Sequence, residues 1–411
     1  MSKPLSLENR DGSINRRALM ATAARLGLGA GLAAPMSLLA QSSAANAFKV
    51  GWVRPTTGRF ASSFAPLYVT GLMALDEINA AGGILGRPIE KVELDDEGAP
   101  AKEPGVFKRL QSEQIHYVLG PTGDPQCLAS LPTSTAAQMI QACFTNGTKP
   151  MDGAVFPYSY VLFHSVQMIA DLCVAHFQAK GAKRIGLLVE NTSTGEAATA
   201  ATKATLQRAG LEATTTQVYP LTGASAAPYI TNLRKAGTEV ILSFLGSTPP
   251  AAQVLNAMAE QQWFPPITGH AGLLYESLFD LVPAEALKNA SAVCFKGLTW
   301  SGSESPAAKQ VAFAKKLLTY PDVNAPYNVA SGPFYDFLYL LKHVIEQEKT
   351  FDSQKIKTAL DRVKNFQGMR CKISFTPENH CGVSVDELTI ASASSSKDPR
   401  SQGSVFRQRL I

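Results

Sequence analysis

The stretch RIGLLVENTSTGEAATAATKATLQRAGLEATTTQVY, residues 184–219, indicates the fold of this chain. Residues 184–189 form a short apolar run typical of a buried strand, residues 195–209 favour a helix, and residues 213–219 favour a second strand. Two strands separated by a helix and short loops lie parallel in one sheet. The stretch therefore predicts a βαβ unit.

The same alternation continues on both sides of this unit. It predicts further strands at 49–53, 89–94, 116–119, 140–145, 240–244 and 266–268, and further helices at 68–78, 101–113, 125–139, 166–180, 226–235 and 249–260. Two such sets predict an α/β protein with two doubly wound parallel-sheet lobes.

The C-terminal part of the sequence, from Ala292, predicts more helix than strand. This favours a chain that crosses back to complete the first lobe and then returns to the second. We therefore expect three crossing segments between the lobes. The expected N-terminal lobe comprises residues 48–163 and 300–372, and the expected C-terminal lobe comprises residues 164–299 and 373–411.

The first 47 residues have the pattern of an export signal. The arginine pair Arg16–Arg17 precedes an Ala/Gly/Leu-rich run over 18–40, and small residues before Phe48 predict cleavage after Ala47. The pair resembles a twin-arginine signal, which predicts a periplasmic protein. A membrane anchor is the alternative, but Arg25 interrupts the run, and its uncharged part is shorter than the ~20 residues that span a bilayer.

The charge of the mature chain is small. The whole chain has a net charge of +5, and the first 47 residues contribute +3 of it through five basic and two acidic side chains. The mature chain has a net charge of only +2, and the sequence has no Lys/Arg stripe interleaved with aromatics. We therefore expect no nucleic-acid partner.

The six cysteines form no C-x-x-C pair, and the six histidines lie far apart in sequence, so we expect no metal site. In an oxidising compartment, Cys371 and Cys381 are the obvious disulfide pair, because they flank a turn-like TPEN sequence. The alternative is that these are two unrelated thiols. The sequence does not pair the remaining cysteines, Cys127, Cys143, Cys173 and Cys294.

No catalytic motif is evident. The sequence has no G-x-S-x-G elbow, no phosphate-binding G-x-x-x-x-G-K-[ST] loop and no H-E-x-x-H helix. The acidic run at 95–97 is expected to be a solvated strand end rather than a metal site. We therefore predict no catalytic residues, no cofactor and a binding protein rather than an enzyme.

Ligands of open α/β sheets bind outside the carboxyl ends of the strands, where helix N-termini offer free N–H groups. A ligand site is therefore expected in a cleft between the two lobes. The loops that would line it are residues 54–65, 120–126, 144–149, 190–196, 245–249 and 269–273.

From residue 48 onward the sequence resembles the branched-chain amino-acid (Leu/Ile/Val) type of periplasmic solute-binding protein of ABC importers, which has the type I periplasmic binding protein fold. The resemblance rests on DEINAAGGILGRPIE at 76–90, DDE at 95–97, GP at 120–121 and FTPENH at 375–380. It implies a monomeric extracytoplasmic protein that delivers a small polar solute, amino-acid-like, an amide or a small or aromatic carboxylate, to an inner-membrane permease.

The resemblance also implies a set of ligand-binding residues. In the family, a hydroxyl residue after the GP strand end and a second loop hold the ligand carboxylate. In this sequence an acid, Asp124, occupies the position of that hydroxyl residue. The family also has an aromatic residue at the mouth of the cleft, and further ligand-binding residues at the first crossing between the lobes and on the second lobe. The matching residues are Phe64, Asp124, Asn146, Gly147, Thr148, His164, Thr194, Ser247, Thr248 and His270.

Several of these residues have alternative roles. Asp124 is also a candidate cap for the helix that follows it. His164 and His270 are also candidates for structural histidines, and Phe64 for core packing. Because no carboxylate occurs at His270 or Ala271, where the family's acid for a ligand ammonium belongs, we expect leucine, isoleucine and valine to bind weakly.

Two other functions stay open from the sequence. A periplasmic sensor subunit would have the same fold, and neighbouring permease and ATPase genes would distinguish an importer component from it. A small-molecule hydrolase on an α/β scaffold is the alternative from the enzyme class. Incubation with candidate ligands would reveal its product.

Overall fold

Apolar segments after Asn46 form a first sheet of five parallel strands, in the order β2-β1-β3-β4-β5. The protein is seen here in a computed structural model that describes residues 46–57, 61, 65–220, 225–321, 330–394, 398–403 and 405–411. The elements of this part are β1 (Phe48–Arg54), α1 (Ala65–Ala80), β2 (Ile89–Asp95), α2 (Glu103–Ser112), β3 (Tyr117–Thr122), α3 (Asp124–Ala136), β4 (Ile140–Phe144) and β5 (Ser159–Val161).

A second sheet of four parallel strands follows, in the order β7-β6-β8-β9. Its elements are α4 (Val166–Ala179), β6 (Ile185–Glu190), α5 (Ser193–Arg208), β7 (Ala213–Tyr219), α6 (Ala227–Lys235), β8 (Val240–Phe244), α7 (Thr248–Glu260) and β9 (Ile267–Gly269). Strands β3, β4 and β8 are buried along their whole length, as expected for parallel strands covered on both faces. The predicted α/β architecture with two doubly wound sheets is confirmed.

The C-terminal part adds helices to the first sheet and strands to the second. Strand β10 pairs antiparallel with β14, and a bridge between Ile267 and Ala290 connects this pair to β9. The remaining elements are α8 (Ala284–Leu287), β10 (Ser291–Phe295), β11 (Thr299–Trp300), α9 (Ala308–Leu318), α10 (Pro333–Glu348), α11 (Ser353–Leu360), β12 (Phe366–Gln367), β13 (Lys372–Ile373), β14 (Leu388–Ser392) and β15 (Arg407–Gln408).

Helix α10 packs directly on α1 over the first sheet. The ring of Phe334 lies 5.1 Å from the ring of Tyr68, in an edge-to-face arrangement. Gly71 allows this approach, because a β-carbon there would lie 3.0 Å from the Trp52 ring and 3.1 Å from the Phe334 Cβ. A late part of the chain therefore completes the core of the first lobe.

Arg370, from the C-terminal part of the chain, contacts residues that precede and follow the second sheet. Its Nη2 donates to Leu162 O at 2.7 Å, and its guanidinium lies 4.4 Å from the Phe295 ring centroid. Val161 N donates to His380 O and Gly382 N donates to Val161 O, so residues 380–382 lie beside β5. The lobe boundaries expected from the sequence stay a prediction.

Two further predictions concern segments around this core. The export signal lies almost entirely outside the described residues, and no described helix is long and apolar enough to cross a bilayer.

The structure does not contain the predicted disulfide, since Cys371 and Cys381 are both free and buried. The Cys381 thiol instead lies 3.4 Å from Phe163 O and 3.6 Å from Val383 O, both of which accept hydrogen bonds.

Candidate functional site

The candidate site lies where loops at the carboxyl ends of the first sheet touch loops of the second. Asp124 and Asn146 follow β3 and β4, whereas Ser193 and His270 follow β6 and β9. Ser193 Oγ donates to Asp124 Oδ2 at 2.7 Å, and His270 Nε2 lies 2.8 Å from Asn146 Oδ1. Two hydrogen bonds therefore connect the lobes across the expected cleft.

Asp124 is the first residue of α3 and is 5% exposed. Its Oδ1 accepts a hydrogen bond from Thr145 Oγ1 at 3.1 Å, and its Oδ2 accepts the bond from Ser193. The helix has Gly123 at its N-cap and no side-chain capping bond, so capping, the alternative that the sequence left open, is not the role of Asp124. The carboxylate is directed to the cleft and the opposite lobe.

Gly147 lies directly against this carboxylate. A β-carbon at position 147 would collide with Asp124 Oδ1. The backbone N–H of Gly147 donates to Thr145 Oγ1 at 2.9 Å, while Thr145 donates to Asp124. The loop after β4 thus needs a glycine here because an acid occupies the neighbouring space.

His270 forms the second connection between the lobes. It is buried, and its Nδ1 accepts a hydrogen bond from Gly272 N at 3.2 Å. A ring whose Nδ1 accepts is neutral and carries its proton on Nε2, which then donates to Asn146 Oδ1. Burial lowers the pKa of His270 to about 4, which agrees with this neutral tautomer.

His164 lies at the base of the site and is fully buried. Asn146 Nδ2 donates to His164 O at 2.6 Å, and the imidazole lies between the rings of Phe163 and Phe295, at centroid distances of 4.2 and 5.7 Å. Neither ring nitrogen has a hydrogen-bond partner among the described residues. Burial, and then the proximity of His270 and Arg370, hold the pKa of His164 well below its usual value.

Glu190, an acid on the second lobe, is not among the residues predicted from the sequence. This last residue of β6 accepts a hydrogen bond from Gly246 N at 2.6 Å through Oε1. A β-carbon at Gly246 would lie 3.7 Å from both Glu190 Oε1 and His270 Cε1, so the carboxylate lies near His270. No acid occurs at His270 or Ala271 in the sequence, but the fold brings the Glu190 carboxylate near this loop. The sequence signal that could have identified Glu190 is an acid directly after a predicted apolar strand.

The buried guanidinium at the base of the site is already paired. Arg370 Nε lies 3.8 Å from Asp336 Oδ2, and Met369 N donates to Asp336 Oδ1 at 2.5 Å. Burial raises the pKa of Asp336 to about 6, although Arg370 acts in the opposite direction. The positive charge next to His164 is thus compensated at physiological pH.

The structure brings together only part of the predicted set. Asp124, Asn146, Gly147, His164 and His270 form one connected group. Thr148 is exposed, Thr194 and Ser247 are half-buried, and the Thr248 hydroxyl pairs with Ser277 Oγ at 2.8 Å. The described hydrogen bonds do not connect these four to the group, and Phe64 lies outside the described residues. Among the described residues, no three His, Cys, Asp or Glu side chains are arranged to hold a metal ion.

Comparisons with known proteins show the family to which this chain is related and the fold that it shares. The profile of a family described as periplasmic binding protein matches residues 47–395. The leucine-, isoleucine-, valine-, threonine- and alanine-binding protein of Pseudomonas aeruginosa is 24% identical over 237 residues, which are 54% of this chain. The match spans 59% of that relative's length, less than two thirds of it.

Solved structures are similar over most of the chain. A type 1 periplasmic binding protein from Bordetella pertussis has a TM-score of 0.74 at 20% identity, covering 84% of this chain and 96% of its own. A branched-chain amino-acid transporter substrate-binding protein from Streptococcus pneumoniae, in complex with isoleucine, has a TM-score of 0.72 at 19% identity with the same coverage. A solute-binding protein from R. palustris in complex with 4-hydroxybenzoate has a TM-score of 0.71 at 18% identity, covering 84% and 92%.

Proposed function

Because the chain belongs to the family of periplasmic binding proteins, which are binding proteins and not enzymes, we propose that it is the substrate-binding component of an ABC importer. Family membership implies an extracytoplasmic location. In our proposal the protein binds a small polar solute in the cleft between its lobes and delivers it to an inner-membrane permease. It acts as a monomer.

The observation that carries this proposal is the pairing of strand-end loops across the cleft. Asp124 pairs with Ser193, and Asn146 pairs with His270, each bond joining one lobe to the other. A solute that contacts both loops interacts more strongly with the closed arrangement than with an open one, so it shifts the hinge equilibrium towards closure. The closed arrangement is the one that a permease would recognise.

The names of the relatives support a small polar ligand. One relative is named for five amino acids, and two structural neighbours are described with isoleucine and with 4-hydroxybenzoate. We propose that Phe64 packs on the apolar part of the ligand. Thr148, Thr194, Ser247 and Thr248 are proposed as further polar contacts.

Delivery to the periplasm is proposed to depend on the leader. Residues 1–47 would be removed after Ala47, and the pair Arg16–Arg17 would be read as a twin-arginine address. The mature chain would then begin at Phe48, the first residue of β1.

A combined melting and scattering experiment tests the proposed function. The mature protein is stripped of ligand by partial unfolding and refolding, then screened against amino acids, amides, amines and aromatic acids. A solute at 100 times its Kd should stabilise the fold by about 2.7 kcal/mol and raise the melting temperature. The same solute should lower the radius of gyration in small-angle scattering. A melting shift without compaction, or no shift with any compound, would contradict binding in the cleft.

A further inference from the structure

Two buried cysteines of the first lobe lie close to the candidate site. Cys127 belongs to α3, one helical turn after Asp124, and Cys143 belongs to β4. Both are free thiols in the structure, and both are almost fully buried. Neither thiol takes part in the contacts between the lobes, so solute binding assigns no role to this pair.

Hydrogen bonds on either side of the two cysteines align α3 with β4. At one end, Thr145 Oγ1 donates to Asp124 Oδ1 at 3.1 Å. At the other end, Gln141 Nε2 donates to Ser130 Oγ at 2.6 Å. Three-residue steps follow one face of a helix, and two-residue steps follow one face of a strand. Each cysteine lies one such step from both contacts, so the two thiols are directed into the same space.

The two thiols are in contact within this space. The Cys127 thiol and the Cys143 thiol form a hydrogen bond, and Gln141 Nε2 also donates to Cys143 Sγ at 3.2 Å. Burial, and then the contact with Cys143, raise the pKa of the Cys127 thiol well above its ordinary value. Cys127 is therefore protonated at neutral pH when the protein is folded.

This alignment allows a covalent link. We propose that Cys127 and Cys143 form a disulfide when the chain folds under oxidising conditions, and that this bond cross-links α3 to β4. The bond connects the same two segments as the hydrogen bond from Thr145 to Asp124. It fixes the position of Asp124 from within the first lobe, independently of the contact that Asp124 makes with Ser193 of the second lobe.

The link forms by exchange with a disulfide oxidant, such as oxidised glutathione. One cysteine thiolate attacks a glutathione sulfur and releases one reduced glutathione, and the second thiolate attacks the resulting mixed disulfide and releases the other. Two protein thiols are oxidised, one glutathione disulfide is reduced, and the two protons end on the released glutathione thiols. Because the thiolate is the reactive form and burial keeps Cys127 protonated, the exchange takes place before α3 has packed on β4.

Fragment mapping after oxidative refolding tests the link. The mature protein is unfolded and reduced, refolded with reduced and oxidised glutathione, and blocked with iodoacetamide in denaturant. Cyanogen bromide cleavage after Met139 separates the two cysteines into fragments 74–139 and 140–151, neither of which contains another cysteine. We expect mass spectrometry to show these two fragments joined in most chains before reduction, and separate after reduction.

Two variants provide controls. Cys127→Ser should leave fragment 140–151 unlinked and make Cys143 available to iodoacetamide in denaturant. Cys173→Ser removes a buried cysteine of α4 and should leave the link between the two fragments unchanged. The mapping of the wild-type chain does not depend on either variant, so a variant that folds poorly leaves the main test intact.

Two results would overturn the inference. One is that iodoacetamide labels both Cys127 and Cys143 in the refolded wild-type protein. The other is that fragment 140–151 is linked to a fragment other than 74–139. Neither result affects the proposed function, which depends on solute binding and compaction.

Discussion

At the scale of single residues, Gly147 shows how closely the cleft is packed. Any side chain there meets the Asp124 carboxylate, which is held by Thr145 and Ser193. The protein can accept a β-carbon only by moving Asp124 away from the opposite lobe. Glycine is therefore required by the neighbouring acid and not by an unusual backbone angle.

We expect Gly147→Ala to destabilise the fold by about 1–3 kcal/mol, the usual effect of overpacking. Urea unfolding measures it, with Gly105→Ala as the control, since a β-carbon at Gly105 of α2 meets nothing within 4 Å. In an Asp124→Ala background the Gly147→Ala effect should largely disappear. Equal losses in both backgrounds would show that Asp124 is not the obstacle.

The acidic run after β2 is a second residue-scale finding. Asp96 is fully buried, so the expectation of a solvated strand end is wrong at this position. Its carboxylate lies next to Glu103, which is also fully buried. Burial, and then the Asp96 charge, raise the pKa of Glu103 from its ordinary value of 4.5 to about 10. Glu103 is therefore protonated at neutral pH.

The raised pKa gives Glu103 a predictable pH dependence. Above pH 4.5 the unfolded state loses this proton while the folded state keeps it, so the contribution to stability falls as the pH rises towards about 10. We expect Glu103→Gln to remove this decline, up to about 1.4 kcal/mol per pH unit. Urea unfolding at pH 5, 7 and 9 is the measurement, and exposed Glu90→Gln is the control. Parallel pH profiles of wild type and Glu103→Gln would contradict it.

The sequence could identify site residues only where they follow a strand on a recognisable loop. The resemblance implied Asp124, Asn146 and His270, which follow strands, and hydrogen bonds connect Thr145 with Asp124 and Asn146 with His270. Glu190 and Ser193 were missed, because their proximity to these residues depends on how the two lobes meet. The contact between the lobes brings together residues that are far apart in sequence, and no local sequence pattern predicts it.

At the scale of elements, the Glu77 side chain on α1 forms polar contacts with two helices from the C-terminal part of the chain, α9 and α10. Its carboxylate accepts hydrogen bonds from Tyr335 and Tyr339 of α10, at 2.7 and 2.6 Å, and forms an ion pair with Lys316 of α9 at 2.6 Å. Partial burial opposes ionisation, but these partners outweigh it and lower the pKa of Glu77. One side chain on α1 thus connects three helices.

We expect Glu77→Gln to destabilise the protein by about 1–2 kcal/mol at pH 7, a charged hydrogen-bond contribution reduced for partial exposure. The loss should shrink as the pH falls below 4.5, since the contribution of a depressed pKa is complete above the unfolded value and disappears as the pH falls through the lower folded pKa. Chemical unfolding at pH 7 and pH 3 measures it. Glu348→Gln, exposed at the end of α10, is the control and should change stability little. A loss that does not vary with pH would contradict the ionic role.

The elements themselves could be predicted well from periodicity. All strands of the two sheets except β5 were expected, because short apolar runs are bounded by loops and separated by helical segments. The partners of the tail elements were not predictable in the same way. The two residues of β11 pair with β15, more than a hundred positions later, and two-residue strands have no periodic signal.

At the scale of the whole molecule, export is open to a direct test. We expect replacement of Arg16 and Arg17 by lysine to keep the charge but block export, because the pair is read by a receptor as an address. Cell fractionation and N-terminal sequencing measure export and cleavage at Ala47. Replacement of Lys3 by arginine is the control. Full processing of the double variant would indicate the general secretory route.

The packing of α10 on α1 has a consequence for the order in which this protein is made. When the ribosome has finished β5, the first lobe still lacks α10, and the Trp52 and Tyr68 side of its core has no cover. The second sheet is synthesised completely in the meantime. Although domains generally fold from the N-terminus during synthesis, the lobe that is begun first here receives α10 only after the second sheet has been synthesised. A nascent chain therefore carries an unfinished apolar surface until Phe334 has emerged, and this interval is when a chaperone would be needed.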